Sequence, residues 1–288
     1  MKNFFVRIFI LICCALPTSP IISQTITKEN IENSEMIVGL NFTDSEQDSM
    51  LTFLEEQLGN YENIRKVELA NNIPPAILFN PIPAGFEFPK EQKPIRFSDY
   101  SHAKLPEDIN NIAFYTLGEL SELIRTKQIT STELTKFFLE RLKKYDPALH
   151  CVITLTEERA LRQAKLMDEE IEQGKYRGLL HGIPFGAKDL LATKDYKTTW
   201  GATPFKDQMI DEDAAVIKKL EDAGAVLCAK LTMGALAWGD VWFGGMTRSP
   251  WDTTKGSSGS SAGSASSVSA GLLPFAIGTE TWGSIVSP

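Results

Sequence analysis

Between Thr116 and Gly174 the apolar residues recur at helical spacing, and polar residues punctuate them where helices begin. Thr116 and Thr130 stand three residues ahead of Glu119 and Glu133. Each pair can cap a helix reciprocally, the threonine hydroxyl taking one orphan amide and the glutamate reaching back for another. Beyond the second cap, Leu134, Phe137, Phe138 and Leu142 share one face, and Pro147 is expected to stop that helix. Ala160, Ala164, Met167 and Ile171 form a third stripe, with Gly174 just past its end. The period then shortens. "LLHGIPFGAKDLLAT" is an apolar run ending in a lone lysine, Lys188, and "AAVIKKLEDAGAVLCAKLT" reads as helix, glycine turn and buried strand. Helices alternating with short, nearly all-apolar strands predict an α/β fold with a mixed or parallel β-sheet core covered by helices.

The flanks divide the chain further. Lys2 and Arg7 precede an apolar run from Ile8 to Leu16 that is too short to span a bilayer, and Ser23 offers a small residue for cleavage. Residues 1–23 therefore read as a signal peptide, which predicts a secreted or periplasmic protein beginning near Gln24 with no membrane span left. Lipid anchoring at Cys14 ranks second, because Cys13 stands where a small residue is expected. Residues 24–112 are acidic and patchy, with one amphipathic helix over 45–58 and a proline-rich stretch that cannot hold a regular helix. They are expected to form a helical and extended arm over a main domain spanning 113–288.

Composition narrows the partners. The chain has 288 residues, 43% hydrophobic and 23% charged, with a net charge of −8. No basic cluster supplies the counterion-release surface that nucleic acids require, so no nucleic-acid partner is expected. Cys151 and Cys228 both sit inside apolar runs and read as isolated core thiols rather than a disulfide. No metal or cofactor is called for.

The stretch "KGSSGSSAGSASSVSAGLLPFAIGTETWGS", residues 255–284, begins like a flexible linker. However, Ala262, Ala265, Val268, Ala270 and Leu272 thread through its serines, and small residues at this density suit a helix packed close to its neighbours. A phosphate loop needs its lysine after the last glycine, whereas Lys255 precedes Gly256. A nucleophilic serine here needs a base. None of His102, His150 and His181 has a convincing setting, although His181 lies beside "GIPFG", and Ser101-x-x-Lys104 lacks its companion motifs. Lys188 could serve if burial lowered its pKa, yet spacing alone favours an ordinary lysine paired with Asp189.

"GIPFGAKD", "TTWGATPF", "SPWDTTKGSSGSSAGSASSVSAG" and "GTETWGSIVSP" together resemble, in order, the blocks of the amidase signature hydrolases, over roughly 116–288. The resemblance implies hydrolysis of a carboxamide by a Ser-cisSer-Lys triad. Lys188 would be the base, Ser260 the bridging serine and Ser284 the nucleophile, with Ser257 and Ser258 left as loop residues. The backbone N–H groups of Thr281, Trp282, Gly283 and Ser284 would form the oxyanion hole. Trp282 replaces a family glycine in the nucleophile turn, where a side chain must be accepted or the loop reshaped, and Ala262 replaces a second glycine in the Gly/Ser loop, a milder change. Residues beyond Pro288 are expected to complete the pocket, so that 24–288 alone would be silent. "LTMGALAWGDVWFGG" is expected to line part of the cleft, with Met233 as a wall. The leading expectation is an exported amidase acting on a small-molecule or peptide-like amide. The alternatives are the glutaminase (A) subunit of a tRNA-dependent amidotransferase and a non-catalytic binding relative.

Overall fold

This computed structural model describes residues 25–91 and 93–288, and two helices come first among them. The expected signal peptide, with Cys14, lies outside the described residues. Helix α1 (Lys28–Val38) and helix α2 (Asp44–Arg65) each begin at a threonine that shares a capping box with the third helical residue. Gln47 of α2 donates to Glu35 of α1 at 3.0 Å, and Ile31 is buried beside them. The chain divides into two compact units, one ending at Pro75 and one beginning at Ala76. The described residues of 66–98 hold no helix or strand, as the run of prolines from Pro74 to Pro94 demands.

The second unit is built on helices α3 (Leu117–Arg125) and α4 (Ser131–Leu149), strand β1 (Val152–Leu155) and helix α5 (Glu157–Glu172). Both expected capping boxes form: Thr116 and Thr130 accept the amides of Glu119 and Glu133, whose carboxylates return the bond. Pro147 does not end α4, which continues to Leu149. Proline sacrifices one N–H in the last turn, and His150 closes the helix in the left-handed conformation (φ 50°) by donating to Asp146 O at 2.7 Å. The Asp146 carboxylate then accepts the amides of Cys151 and Val152 and turns the chain into β1.

Strand β2 (Pro184–Lys188), helix α6 (Ala215–Asp222) and strand β3 (Val226–Leu231) follow. After the two-stranded ribbon of β4 (Val241–Trp242) and β5 (Gly245–Met246) come helix α7 (Ala262–Ser269) and strand β6 (Ala276–Ile277). The main sheet has the order β1-β3-β2-β6, with β1 antiparallel to β3 and both β3 and β6 parallel to β2. Alternation along the strands separates two apolar clusters. Phe185, Ala187 and Leu227 pack with Ile217 of α6, whereas Ile183, Val226, Cys228 and Leu231 pack with α4 and α5. This is the helix-covered mixed sheet that the pattern predicts. Cys151 and Cys228 are free and buried, and burial raises both thiol pKa values, so neither is a ready nucleophile.

Helix α7 packs close to its neighbours, as its small residues predict, and it buries serines. Val268 points outward, while Ser264, Ser266 and Ser267 are buried. Each hydroxyl finds a carbonyl: Ser264 donates to Ile277 O, Ser266 to Arg248 O and Ser267 to Ser264 O. Small satisfied side chains let α7 approach the sheet closely. At Gly263 a β-carbon would collide with the backbone of Cys151 and Thr232.

Candidate active site

Because successive side chains alternate across a strand, Lys188 at the end of β2 points to the α7 side of the sheet. It exposes no surface. Its Nζ lies 2.8 Å from Ser260 Oγ, 3.1 Å from Ser261 Oγ and 2.8 Å from Thr279 Oγ1, so three hydroxyls surround it. Burial pulls its pKa down to about 8, opposed only by the charge of Glu280. The expected pairing with Asp189 does not occur. Asp189 faces the other side, where it meets Lys230 at 2.7 Å and accepts the amide and hydroxyl of Thr199.

The loop ahead of α7 brings Ser260 between Lys188 and the end of the chain. The peptide bond from Gly259 to Ser260 is cis. Ser260 Oγ lies 3.1 Å from Ser284 Oγ, which completes a continuous chain from lysine to bridging serine to terminal serine. Ser261 ties the two loops together: its amide donates to Ser284 O at 2.9 Å and its hydroxyl to Thr279 O at 3.1 Å. Ser257 Oγ instead donates to Ser258 O, and Ser258 Oγ meets Ser287 Oγ, so neither touches the lysine.

The turn before Ser284 bears on the expected oxyanion hole. Trp282 has no left-handed backbone, which falls instead on Gly283 (φ 90°), so the turn accommodates a tryptophan where the family carries glycine. The Glu280 carboxylate folds over this turn and accepts the amides of Gly283, Ile285 and Val286. The Ile285 amide foremost, with those of Gly283, Val286 and Ser284, holds the Glu280 carboxyl below its usual range. The turn thus converges its N–H groups on an anion, here the chain's own.

The histidines lie elsewhere. His181 is buried, with Nε2 at 2.9 Å from Met167 O and Nδ1 accepting the amide of Arg177, and burial lowers its pKa. His150 caps α4. Met233 is fully buried and does not line the cleft, whose wall from that stretch is Ala237, Trp238 and Gly239. Sequence reasoning missed Ser261 and Thr279 as neighbours of Lys188, and Lys230 as the partner of Asp189. The lysine inside the apolar "VLCAKL" was the one signal for the last of these.

A buried lysine reaching an exposed-side serine through a second serine defines a class of nucleophilic hydrolase site without histidine. Comparison with known proteins gives the family: the profile described as Amidase matches residues 133–288, and the chain belongs to that family. It is 42% identical over 177 residues to the (A) subunit of the glutamyl-tRNA(Gln) amidotransferase of Coxiella burnetii, covering 60% of this chain and 36% of that protein. It is 40% identical over 186 residues to the putative amidase AmiD of Mycobacterium bovis, covering 64% and 39%. Native peptide amidase from Stenotrophomonas maltophilia superposes with a TM-score of 0.57 at 36% identity, over 61% of this chain and 38% of that one. The chain therefore spans well under half the length of the relatives it matches.

Proposed function

We propose that this protein is an exported amidase that hydrolyses a carboxamide through Ser284, Ser260 and Lys188 and an acyl-enzyme. The observation that carries the reading is the unbroken chain of short contacts from Lys188 Nζ through Ser260 Oγ to Ser284 Oγ. With Lys188 protonated, its ammonium donates to Ser260, which in turn donates to Ser284, and no proton can leave the nucleophile. Loss of that proton reverses the chain. The neutral amine accepts from Ser260, Ser260 accepts from Ser284, and Ser284 Oγ attacks the amide carbonyl. The relay returns the proton to the leaving amine, and water cleaves the resulting ester. The backbone N–H groups of Thr281, Trp282, Gly283 and Ser284 are the donors for a tetrahedral oxyanion, which would take that of Gly283 from the Glu280 carboxylate. Labelling by a serine-directed fluorophosphonate, lost in Ser284→Ala, tests the reading directly. Export rests on Lys2, Arg7 and the apolar run from Ile8. A mature N-terminus near Gln24, recovered outside the cytoplasm, is the expected result, and an intact Met1 in the cytoplasm overturns it.

A second reading, the glutaminase component of an amidotransferase, is favoured by the 42% identity to a protein of that name. Glutaminase activity together with co-purifying partner proteins would establish it over the first. The leader-like N-terminus and the net charge of −8 favour the exported amidase.

A further inference from the structure

Two tryptophans that the proton chain does not use stand at the mouth of the cleft in front of Ser284. Trp238 and Trp282 are 71% and 84% exposed, with ring centroids 6.0 Å apart and planes inclined by 35°. Both line a cleft of about 600 Å³ that also includes Leu190, Ala237, Thr279 and Ser284. None of the described residues lining it is charged. Two large aromatic side chains and an uncharged lining beside Ser284 suit an apolar group carried by a substrate.

The backbone that presents Trp238 is held in place. Leu236 (φ 52°) and Ala237 (φ 67°) are consecutive left-handed residues with side chains, a conformation that persists only where the surroundings enforce it. Leu236 donates to Trp200 O and Ala237 to Gly234 O, both at 2.9 Å. Gly234 lies so close to the backbone of Trp238 and Gly239 that no β-carbon fits there. The tryptophan therefore sits on a fixed platform, and its few rotatable bonds make it an inexpensive anchor. Trp282 is placed by the nucleophile turn itself, two residues ahead of Ser284. At 6.0 Å the two rings touch each other, so no third ring slides between them. A flat group packs across their cleft-facing sides as a further member of the cluster.

We propose that Trp238 and Trp282 form a binding corner for a flat, uncharged apolar group, foremost an aromatic ring, carried next to the scissile carboxamide. The corner selects aryl-bearing amides over small aliphatic or zwitterionic ones. The assignment rests on the amidase reading above and adds the substrate class to it.

The test uses the full-length protein, in which residues beyond Pro288 are expected to complete the pocket, and it has a binding arm and a kinetic arm. In the binding arm, Ser284→Ala protein is titrated with phenylacetamide and with acetamide while tryptophan emission is followed. Phenylacetamide should quench and bind about tenfold more tightly than acetamide, and Trp238→Ala and Trp282→Gly should each remove that advantage. Trp238→Phe should restore most of it. Trp251→Ala, which removes an exposed tryptophan outside the cleft lining, serves as the control. In the kinetic arm, Trp238→Ala should lower the phenylacetamide-to-acetamide ratio of kcat/KM about tenfold, mainly through KM. Equal binding of the two amides, or an advantage that survives Trp238→Ala, overturns the corner and leaves the amidase reading intact. Phenylacetamide binding without hydrolysis of either amide and without fluorophosphonate labelling overturns the amidase reading and leaves the corner as a binding site.

Discussion

Two buried lysines stand at the C-terminal ends of neighbouring parallel strands, Lys188 last in β2 and Lys230 next to last in β3, and their surroundings differ sharply. Lys188 and Lys230 both have no exposed side-chain surface, and burial lowers the pKa of both. Lys230 meets the Asp189 carboxylate at 2.7 Å and also donates to Thr198 Oγ1 and Lys197 O. That carboxylate works against desolvation, and Lys230 fastens the 197–198 segment to it. Lys188 contacts only hydroxyls, with the Glu280 charge acting without contact, and burial lowers its pKa to about 8. Burial alone does not make a lysine a base. What decides the matter is whether a carboxylate shares its face of the sheet.

The largest expected effect lies on the Lys188 side. In the full-length protein, Lys188→Met and Ser284→Ala should each lower amide hydrolysis by about 10⁴-fold while the melting temperature of Lys188→Met holds or rises, since an amine with no carboxylate in contact is being removed. A drop in melting temperature matching that of Lys230→Met would erase the contrast between the two lysines. Next comes the ion pair. Asp189→Asn should cost about 3–5 kcal/mol in denaturant unfolding, because Lys230 is left buried and unpaired. A loss below about 1 kcal/mol would mean that water reaches the pair.

The pH dependence sharpens the comparison by a smaller factor. Only neutral Lys188 can accept the proton, so kcat/KM should rise about tenfold per pH unit below pH 8 and level off above it. No second inflection should come from Lys230. A flat profile from pH 6 to 9 would count against the lysine base. Smallest of all is Ser257→Ala, whose hydroxyl reaches only Ser258 O. Activity should change less than about twofold. A loss equal to that of Ser260→Ala would show that the wrong serine bridges.

Much of the framework was legible before any coordinates. The capping boxes at Thr116 and Thr130, the three helical stripes and the helix-turn-strand at 215–231 are local signals, and each forms where its spacing says. Pro147 misled because its cost in the last turn of a helix is small. Hydropathy did not mark the buried serine face of α7, because it does not register a hydroxyl that already has a carbonyl partner. The family's spacing, read back without a gap from "AGLLPFAIGT", points to Ser260 rather than Ser257, and the contact with Lys188 falls on Ser260.

By itself the sequence determined which residue types were present and in what local conformation: an apolar strand ending in lysine, small residues ahead of a helix, a glycine-bearing turn before a serine. The partners were decided only by tertiary structure. Lys188 and Asp189 are neighbours in the chain yet face opposite sides of the sheet, so the carboxylate goes to Lys230 and the hydroxyls to Lys188. Likewise Trp238 and Trp282, distant in sequence, meet at one mouth. Strand alternation is a local rule, but what waits on each side of a sheet depends on segments dozens of residues away, and spacing along a chain does not carry that information.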